Sequence, residues 1–133
     1  MDEERRKRWE KLYGRELSEA ERAVEREVFG AAEGIWSYTT PEQADVLGRE
    51  LDLARGRLVL DIGSGRGWPS VYLARTTACS VVATDLPPGS PHQAARRAAR
   101  DGVAKRYASL RCSATHLPFR SRSFDAVIHT DVL

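Results

Sequence analysis

The most constraining feature of this sequence is a short apolar run that ends directly in three alternating glycines. Residues 58–62 read Leu-Val-Leu-Asp-Ile, and residues 63–67 read Gly-Ser-Gly-Arg-Gly. A short apolar run bounded by glycines is typical of a strand buried in a parallel sheet. Alternate glycines let the backbone pass close to a ligand, and a helix that follows offers free N–H groups at its start. The segment therefore predicts a ligand-binding loop between a buried strand and a helix.

Strand-like and helix-like segments alternate from this region onward. Apolar runs predict the strands, and the segments between them have the periodicity and capping residues of helices. The predicted strands are residues 58–62, 80–84, 107–112 and 124–130, and the helices between them are residues 68–77 and a segment from the Ser90 cap to Arg100. Strands joined by helices pair in parallel with right-handed connections. We therefore expect an α/β fold with a Rossmann-like parallel sheet over residues 57–133.

Residues 1–56 have a different pattern, with helical periodicity and many charges. The predicted helices are residues 3–13, 19–30 and 41–55. Ser18 and Thr40 each precede a Glu or Gln by three positions, a capping pattern that starts a helix. We predict that residues 1–56 form a helical arm that packs onto the sheet. Trp36 and Tyr38 lie in the loop before the third helix, where they either cover a ligand or attach the arm.

The composition narrows the class of protein further. The chain has 21 basic and 19 acidic residues and a net charge of +2, which does not by itself imply a nucleic-acid partner. The basic residues between positions 96 and 111 are interpreted as a solvated face. No apolar run approaches the roughly 18 residues of a membrane helix, and no secretory signal follows the charged start. We therefore expect a soluble, cytoplasmic protein with no membrane partner.

The two cysteines, Cys79 and Cys112, do not indicate a metal site, because no Cys/His cluster is present. Cys79 opens one predicted strand and Cys112 closes another, so the two lie at opposite ends of a parallel sheet. A disulfide needs Cα atoms within about 7 Å, and we therefore expect both thiols to be free.

An acid at the end of the second predicted strand suggests which ligand the glycine loop takes. Asp85 follows Gly67 by 18 positions, where a carboxylate suits the two hydroxyls of a ribose. A dinucleotide fingerprint fits less well, because counting from Gly63 puts Trp68 where a small residue belongs. A Gly-Lys-Ser/Thr phosphate loop is absent from the sequence. These residues predict a cofactor that contains a nucleoside and lies across the carboxyl ends of the strands.

The order of the motifs resembles class I S-adenosylmethionine-dependent methyltransferases. Residues 59–74 (VLDIGSGRGWPSVYLA) are similar to the first motif of that family, and residues 81–87 (VVATDLP) are similar to its second-strand motif. Residues 112–133 (CSATHLPFRSRSFDAVIHTDVL) resemble its adenine-contact and fourth-strand motifs, in the wording of the small-molecule branch called type 11. The resemblance implies a seven-stranded sheet in the order 3-2-1-4-5-7-6. The chain holds the first four of these strands, so we expect it to be truncated after the fourth.

The resemblance also implies a set of residues for S-adenosyl-L-methionine. Asp61 anchors the glycine loop near the amino group of the methionine moiety, and the glycine loop faces the methionine and the ribose. Asp85 holds the ribose hydroxyls, Leu86 packs on the adenine, and the Ala114 N–H binds the ring. Ser113 stands where the family usually has an acid, and His129 follows the fourth strand near the methionine end. The implied cofactor residues are Asp61, Gly63, Ser64, Gly65, Gly67, Asp85, Leu86, Ser113, Ala114 and His129.

The same resemblance implies methyl transfer to a small-molecule acceptor. No general base is assigned, because the substrate half of the fold is not in the sequence. The fourth strand, with Val127 and Ile128, is expected to form an exposed edge through which the chain self-associates. Two alternatives remain open at this point: a non-catalytic cofactor-binding module, and a nicotinamide-dependent oxidoreductase.

Overall fold

The computed structural model describes residues 2–30, 35 and 37–132, and for Tyr13 and Phe29 only the backbone. The expectation for Trp36 falls outside these residues. In chain order the elements are α1 (Glu3–Tyr13), α2 (Glu19–Phe29), α3 (Pro41–Glu50), β1 (Leu58–Ile62), α4 (Ser70–Thr77), β2 (Ser80–Asp85), α5 (Gly89–Arg100), the 3-10 turn Ala104–Arg106, β3 (Tyr107–Arg111) and β4 (Ala126–Ile128). No helix among the described residues is both long and apolar enough to cross a bilayer.

The four strands form one parallel sheet in the order β3-β2-β1-β4. Asp61 of β1 lies between Ala83 of β2 and Ile128 of β4. Because the strands are parallel, their carboxyl ends meet at one edge of the sheet. This arrangement confirms the predicted Rossmann-like fold class and places the glycine loop at that edge.

The core forms where α4 and α5 pack against β2 and β3. Val59, Val71 and Val81 are fully buried in it, as expected for β-branched residues on a two-sided sheet and an inward helix face. Cys79 is buried at the start of β2, and both cysteines are free. The core therefore lies against the two strands whose ends carry the glycine loop and Asp85.

The arm helices begin at the predicted caps. The Ser18 hydroxyl accepts the N–H of Glu21, and the Thr40 hydroxyl accepts the N–H of Gln43, each with the reciprocal bond of a capping box. Val24 of α2, whose helical spacing predicted burial, is 59% exposed. The division of the chain into an arm over residues 1–56 and a domain over residues 57–133 stays a prediction.

Four elements have boundaries that differ from the sequence-based expectation. Helix α3 ends at Glu50 rather than near Gly56, because Asp52 takes a left-handed conformation (φ 48°) and the Leu53 N–H bonds the Gly48 carbonyl at 2.9 Å. Ala54 thus lies beyond the helix and is exposed.

Helix α5 and strand β4 also begin or end elsewhere. Helix α5 starts at Gly89, so Ser90 is not its cap but a fully buried residue in its first turn. Strand β4 spans only Ala126–Ile128 instead of residues 124–130, and Asp131 turns the chain with a positive φ of 59°. Helix α4 begins at Ser70, two residues after the predicted start.

Candidate cofactor-binding site

The glycine loop leaves β1 at the sheet's carboxyl edge and is held by the neighbouring strand. The N–H groups of Gly63 and Ser64 both donate to the Thr84 carbonyl, at 2.8 and 3.0 Å, and the Gly67 N–H donates to Ser64 O at 2.8 Å. Gly63, Gly65 and Gly67 all have positive φ, at 72°, 51° and 86°. The side chain of Val132 packs directly on Gly63, so that position has no room for a Cβ. The loop is thus a tight turn fixed to the end of β2.

Asp61 lies beneath this loop as a buried acid. Its side chain is 1% exposed, and neither carboxyl oxygen makes a hydrogen bond of normal geometry within the described residues. Burial raises the pKa of Asp61 to about 7, and the nearby Asp85 adds to the rise, while the Ser70 hydroxyl acts in the opposite direction. A buried carboxyl without a donor is costly, so this residue favours a ligand that brings one.

Asp85 ends β2 beside the glycine loop. Its Oδ1 accepts the Leu86 N–H at 3.0 Å. Burial raises the pKa of Asp85, although the Ser90 hydroxyl and the N–H groups of Leu86 and Gly65 favour its ionised form. Two acids therefore share the carboxyl ends of adjacent strands, and the charge of Asp85 raises the electrostatic cost of ionising Asp61. A cation or a set of hydroxyl donors between them lowers that cost.

A buried polar pair beneath the loop was missed by the sequence analysis. The Tyr107 hydroxyl, from the start of β3, lies 3.0 Å from the Ser70 hydroxyl at the start of α4. Burial raises the pKa of Tyr107, and the negative charge of Asp61 adds to the rise. Tyr107 thus stays a neutral hydrogen-bonding group next to Asp61. Only the parallel register that aligns Tyr107 with Val81 brings it under the loop.

The comparisons with known proteins agree with this geometry. A sequence family described as "Methyltransferase domain" matches residues 59–133, which include the whole sheet and the glycine loop. The chain belongs to the methyltransferase-domain family. S-adenosyl-L-methionine is the cofactor of this family, as two structural relatives of 26% and 29% identity in complex with S-adenosyl-L-homocysteine illustrate. The nicotinamide alternative is not supported by any of these matches.

Two relatives and one solved structure show how similar the chain is to known methyltransferases and how much of each chain is matched. The chain is 34% identical over 77 residues to the methyltransferase GfsG of Streptomyces halstedii, and 34% identical over 87 residues to erythromycin 3''-O-methyltransferase of Saccharopolyspora erythraea. These matches cover 58% and 65% of this chain but only 28% of each relative. A SAM-dependent methyltransferase from Thiobacillus denitrificans in complex with S-adenosyl-L-homocysteine has 26% identity and a TM-score of 0.65, over 89% of this chain and 45% of that one.

The remaining predicted residues of this methyltransferase domain lie around the same edge. Ser113 and Ala114 form a turn just after β3, in which the Ser113 hydroxyl bonds Thr115 Oγ1 at 2.9 Å and accepts the Thr115 N–H at 3.3 Å. His129 follows β4 and is exposed. Leu86 follows Asp85, and its carbonyl accepts the Arg111 side chain at 2.9 Å. All ten predicted residues thus follow or end strands at the carboxyl edge, while their contact with a cofactor stays a prediction.

Asp131 is a further residue near this edge that the sequence analysis did not select. Its carboxylate accepts the Ser37 hydroxyl and, at 3.1 Å, the Tyr38 N–H. Tyr38 is 91% exposed, so its ring neither attaches the arm to the sheet nor packs on the glycine loop. Among the residues that the structure describes, no group of three His, Cys, Asp or Glu side chains is placed to hold a metal.

Proposed function

We propose that this chain is the cofactor-binding portion of an S-adenosylmethionine-dependent methyltransferase that acts on a small-molecule acceptor. Family membership, the glycine loop and the two strand-end acids support the binding role. The small-molecule acceptor is inferred from a relative whose name describes O-methylation of erythromycin. Since the chain spans 28% of that relative, the acceptor site is assigned to the whole protein and not to residues of this chain.

The observation that carries the proposal is the buried, unsatisfied carboxyl of Asp61. Both of its oxygens are buried without a hydrogen-bond partner of normal geometry in the described chain, directly beneath a glycine loop. An amino-acid ammonium donates up to three hydrogen bonds and carries the opposite charge, so it satisfies both requirements at once. A nicotinamide dinucleotide has no primary ammonium, and it leaves this acid unpaired.

Each of the other residues has a matching role in binding. Asp85 accepts hydrogen bonds from the two ribose hydroxyls. Burial raises the pKa of Asp85 and so disfavours its ionised form, and the hydroxyl donors offset this because they stabilise the carboxylate. Leu86 provides apolar surface for the adenine, and the Ala114 N–H and the Ser113 hydroxyl face its polar edge. The backbone of Gly63, Gly65 and Gly67 and the Ser64 N–H border the methionine and ribose.

The bound cofactor supplies a sulfonium methyl group that is already activated for transfer. The contribution of this chain is therefore to bind and orient, which reduces the entropic cost of bringing the acceptor to the methyl group. His129, exposed after β4, is assigned to the methionine end of the proposed site on the resemblance of its motif. We assign no general base to it.

Calorimetry with S-adenosyl-L-homocysteine tests the binding role. The wild-type chain should bind this compound and not NAD, and Asp85→Asn should weaken binding by about 2 kcal/mol, the scale of charge-assisted hydrogen bonds to buried hydroxyls. Asp52→Asn is the matched control, because Asp52 is exposed at the end of α3 and asparagine tolerates its positive φ. Equal affinity of the Asp85→Asn and wild-type proteins refutes the ribose assignment, and binding of NAD alone refutes the cofactor.

A different measurement distinguishes an active methyltransferase from a cofactor-binding module without catalysis. Transfer of a radiolabelled methyl group by the full-length gene product, with extracts of small molecules as acceptors, is expected for an enzyme. Tight cofactor binding with no transfer to any acceptor favours the non-catalytic module instead.

A further inference from the structure

Two side chains of the glycine-loop segment point away from the sheet and hold the arm. Arg66, between Gly65 and Gly67, is 8% exposed, and its Nη2 donates to the carbonyls of Leu12 and Arg15 at 3.3 and 2.8 Å. These carbonyls lie at the C-terminal end of α1 and just beyond it, where the last turn of a helix has unsatisfied acceptors and a partial negative charge. A buried guanidinium is therefore well placed to cap α1.

Trp68 forms the second link. Its Nε1 donates to the Thr39 carbonyl at 2.8 Å, one residue before the cap of α3. The indole ring is 8% exposed, and the Arg97 guanidinium lies 5.7 Å from its centroid. The segment from Gly65 to Trp68 is thus attached to the arm at two places, more than 25 residues away from it in sequence.

The backbone of this segment is the part that the proposed cofactor approaches. Gly65 and Gly67 both have left-handed φ values, 51° and 86°, and glycine has the largest conformational freedom to lose on ordering. A side chain anchored between two such residues removes part of that freedom before the ligand arrives. The contacts of Arg66 therefore act on the same backbone groups that border the cofactor.

We propose that Arg66 is a positioning residue which couples docking of the α1–α2 segment (residues 3–29) to cofactor binding in the glycine loop. The inference rests on the proposed function, since it concerns the regulation of that site. Coupling is reciprocal, so the docked arm raises cofactor affinity and bound cofactor stabilises the docked arm. The backbone of Gly65 and Gly67 borders the proposed cofactor, and the side chains of Arg66 and Trp68 face the arm.

Hydrogen exchange and calorimetry with S-adenosyl-L-homocysteine test this coupling. In the wild-type chain the ligand should slow amide exchange over residues 10–17, the segment that Arg66 holds. Arg66→Gln should lose this ligand-dependent slowing and bind roughly five- to twentyfold more weakly, within the usual range of coupling between sites. A merely structural role predicts faster exchange with and without ligand, but an unchanged ligand-dependent difference.

Arg96→Gln is the matched control. Arg96 of α5 reaches the same part of the arm, with an ion pair to Glu16 at 3.0 Å, but it is exposed and lies outside the glycine loop. This variant should keep both the affinity, within twofold, and the ligand-dependent slowing. Equal losses in the Arg96→Gln and Arg66→Gln proteins show that arm docking alone matters and overturn the assignment to Arg66.

The remaining outcomes separate the coupling from the cofactor assignment. No binding of S-adenosyl-L-homocysteine to the wild-type chain refutes the proposed function and this inference with it. Binding without slower exchange over residues 10–17, or an Arg66→Gln protein that binds within twofold of wild type, refutes the coupling alone. If Arg66→Gln does not fold, Trp68→Phe replaces it, since this change removes only the N–H that bonds the Thr39 carbonyl. The Trp68→Phe protein should then lose the ligand-dependent slowing of amide exchange over residues 37–40.

Discussion

Asp61 shows how the burial of one acid makes the stability of the fold depend on pH. Its carboxyl is buried beneath the glycine loop without a hydrogen-bond partner of normal geometry in the described chain, and burial raises its pKa to about 7. Because the folded-state pKa lies above that of the unfolded chain, the folded protein binds this proton more tightly between about pH 4 and pH 7. The free energy of unfolding therefore falls as the pH rises through that window and stays low above it.

Asp61→Asn should remove this pH dependence. The variant has no ionisable group at this position, so it does not lose stability as the pH rises. The difference in free energy of unfolding, variant minus wild type, should therefore increase from pH 4 to pH 7.5. The full pKa shift of Asp61 corresponds to an increase of about 4 kcal/mol. Urea unfolding of both proteins at several pH values measures the difference. The same variant should bind S-adenosyl-L-homocysteine more weakly, since the amide lacks the negative charge. Parallel pH profiles for the two proteins contradict the assigned pKa.

At the scale of elements, Gly67 determines how closely α4 and α5 approach the loop. A Cβ at this position meets Val71 Cγ2 at 2.9 Å, the Tyr107 hydroxyl at 3.2 Å and Ala94 Cα at 3.3 Å. Two of these atoms belong to the helices, and Ala94 Cα is backbone that yields only if α5 moves. Gly67 is therefore needed for helix packing as well as for its positive φ.

Gly67→Ala should destabilise the fold by about 2–4 kcal/mol, as the sum of overpacking and a left-handed alanine. Gly102→Ala is the matched control, because Gly102 also has a positive φ (74°) but a Cβ added there meets no heavy atom within 4 Å. The difference between the two variants in urea unfolding isolates the packing cost. Similar losses in both proteins show that only φ matters at Gly67.

For the whole molecule, the sheet presents β4 as an edge. Within the described residues β4 pairs with β1 on one side only, and Val127 is 51% exposed. An edge strand with apolar side chains is a template for pairing with another chain. We therefore expect the 133-residue chain to self-associate through β4.

Sedimentation velocity at increasing concentration tests this expectation. Val127→Lys should shift the chain toward monomer, because a lysine on an edge strand opposes pairing with a second copy. Val28→Lys is the control, since Val28 is equally an exposed valine but lies on α2. If Val28→Lys dissociates the assembly and Val127→Lys does not, the interface lies on the arm instead of the sheet edge.

The features that depend on a local pattern could be predicted from the sequence. The apolar run of β1, the positive φ of the loop glycines and the caps of α2 and α3 all follow from residues within one turn or one strand. The parallel pairing also followed, because strands joined by helical connections pair in parallel. The strand order came from the resemblance to the methyltransferase family. The ten residues predicted for the cofactor lie in or beside these local motifs, and their contact with it stays a prediction.

Contacts between groups that are distant in the chain depend on the tertiary structure and could not be predicted. Asp61 is buried by residues from several elements. The hydrogen bonds between Tyr107 and Ser70, and from Arg66 to the Leu12 and Arg15 carbonyls, join residues that lie far apart in the chain. No periodicity encodes such partners, because a side chain's energy depends on the donors, acceptors and volume that the fold brings beside it. For the same reason a positive φ at Asp52, stabilised by the Leu53–Gly48 bond, ended α3 before Gly56 did.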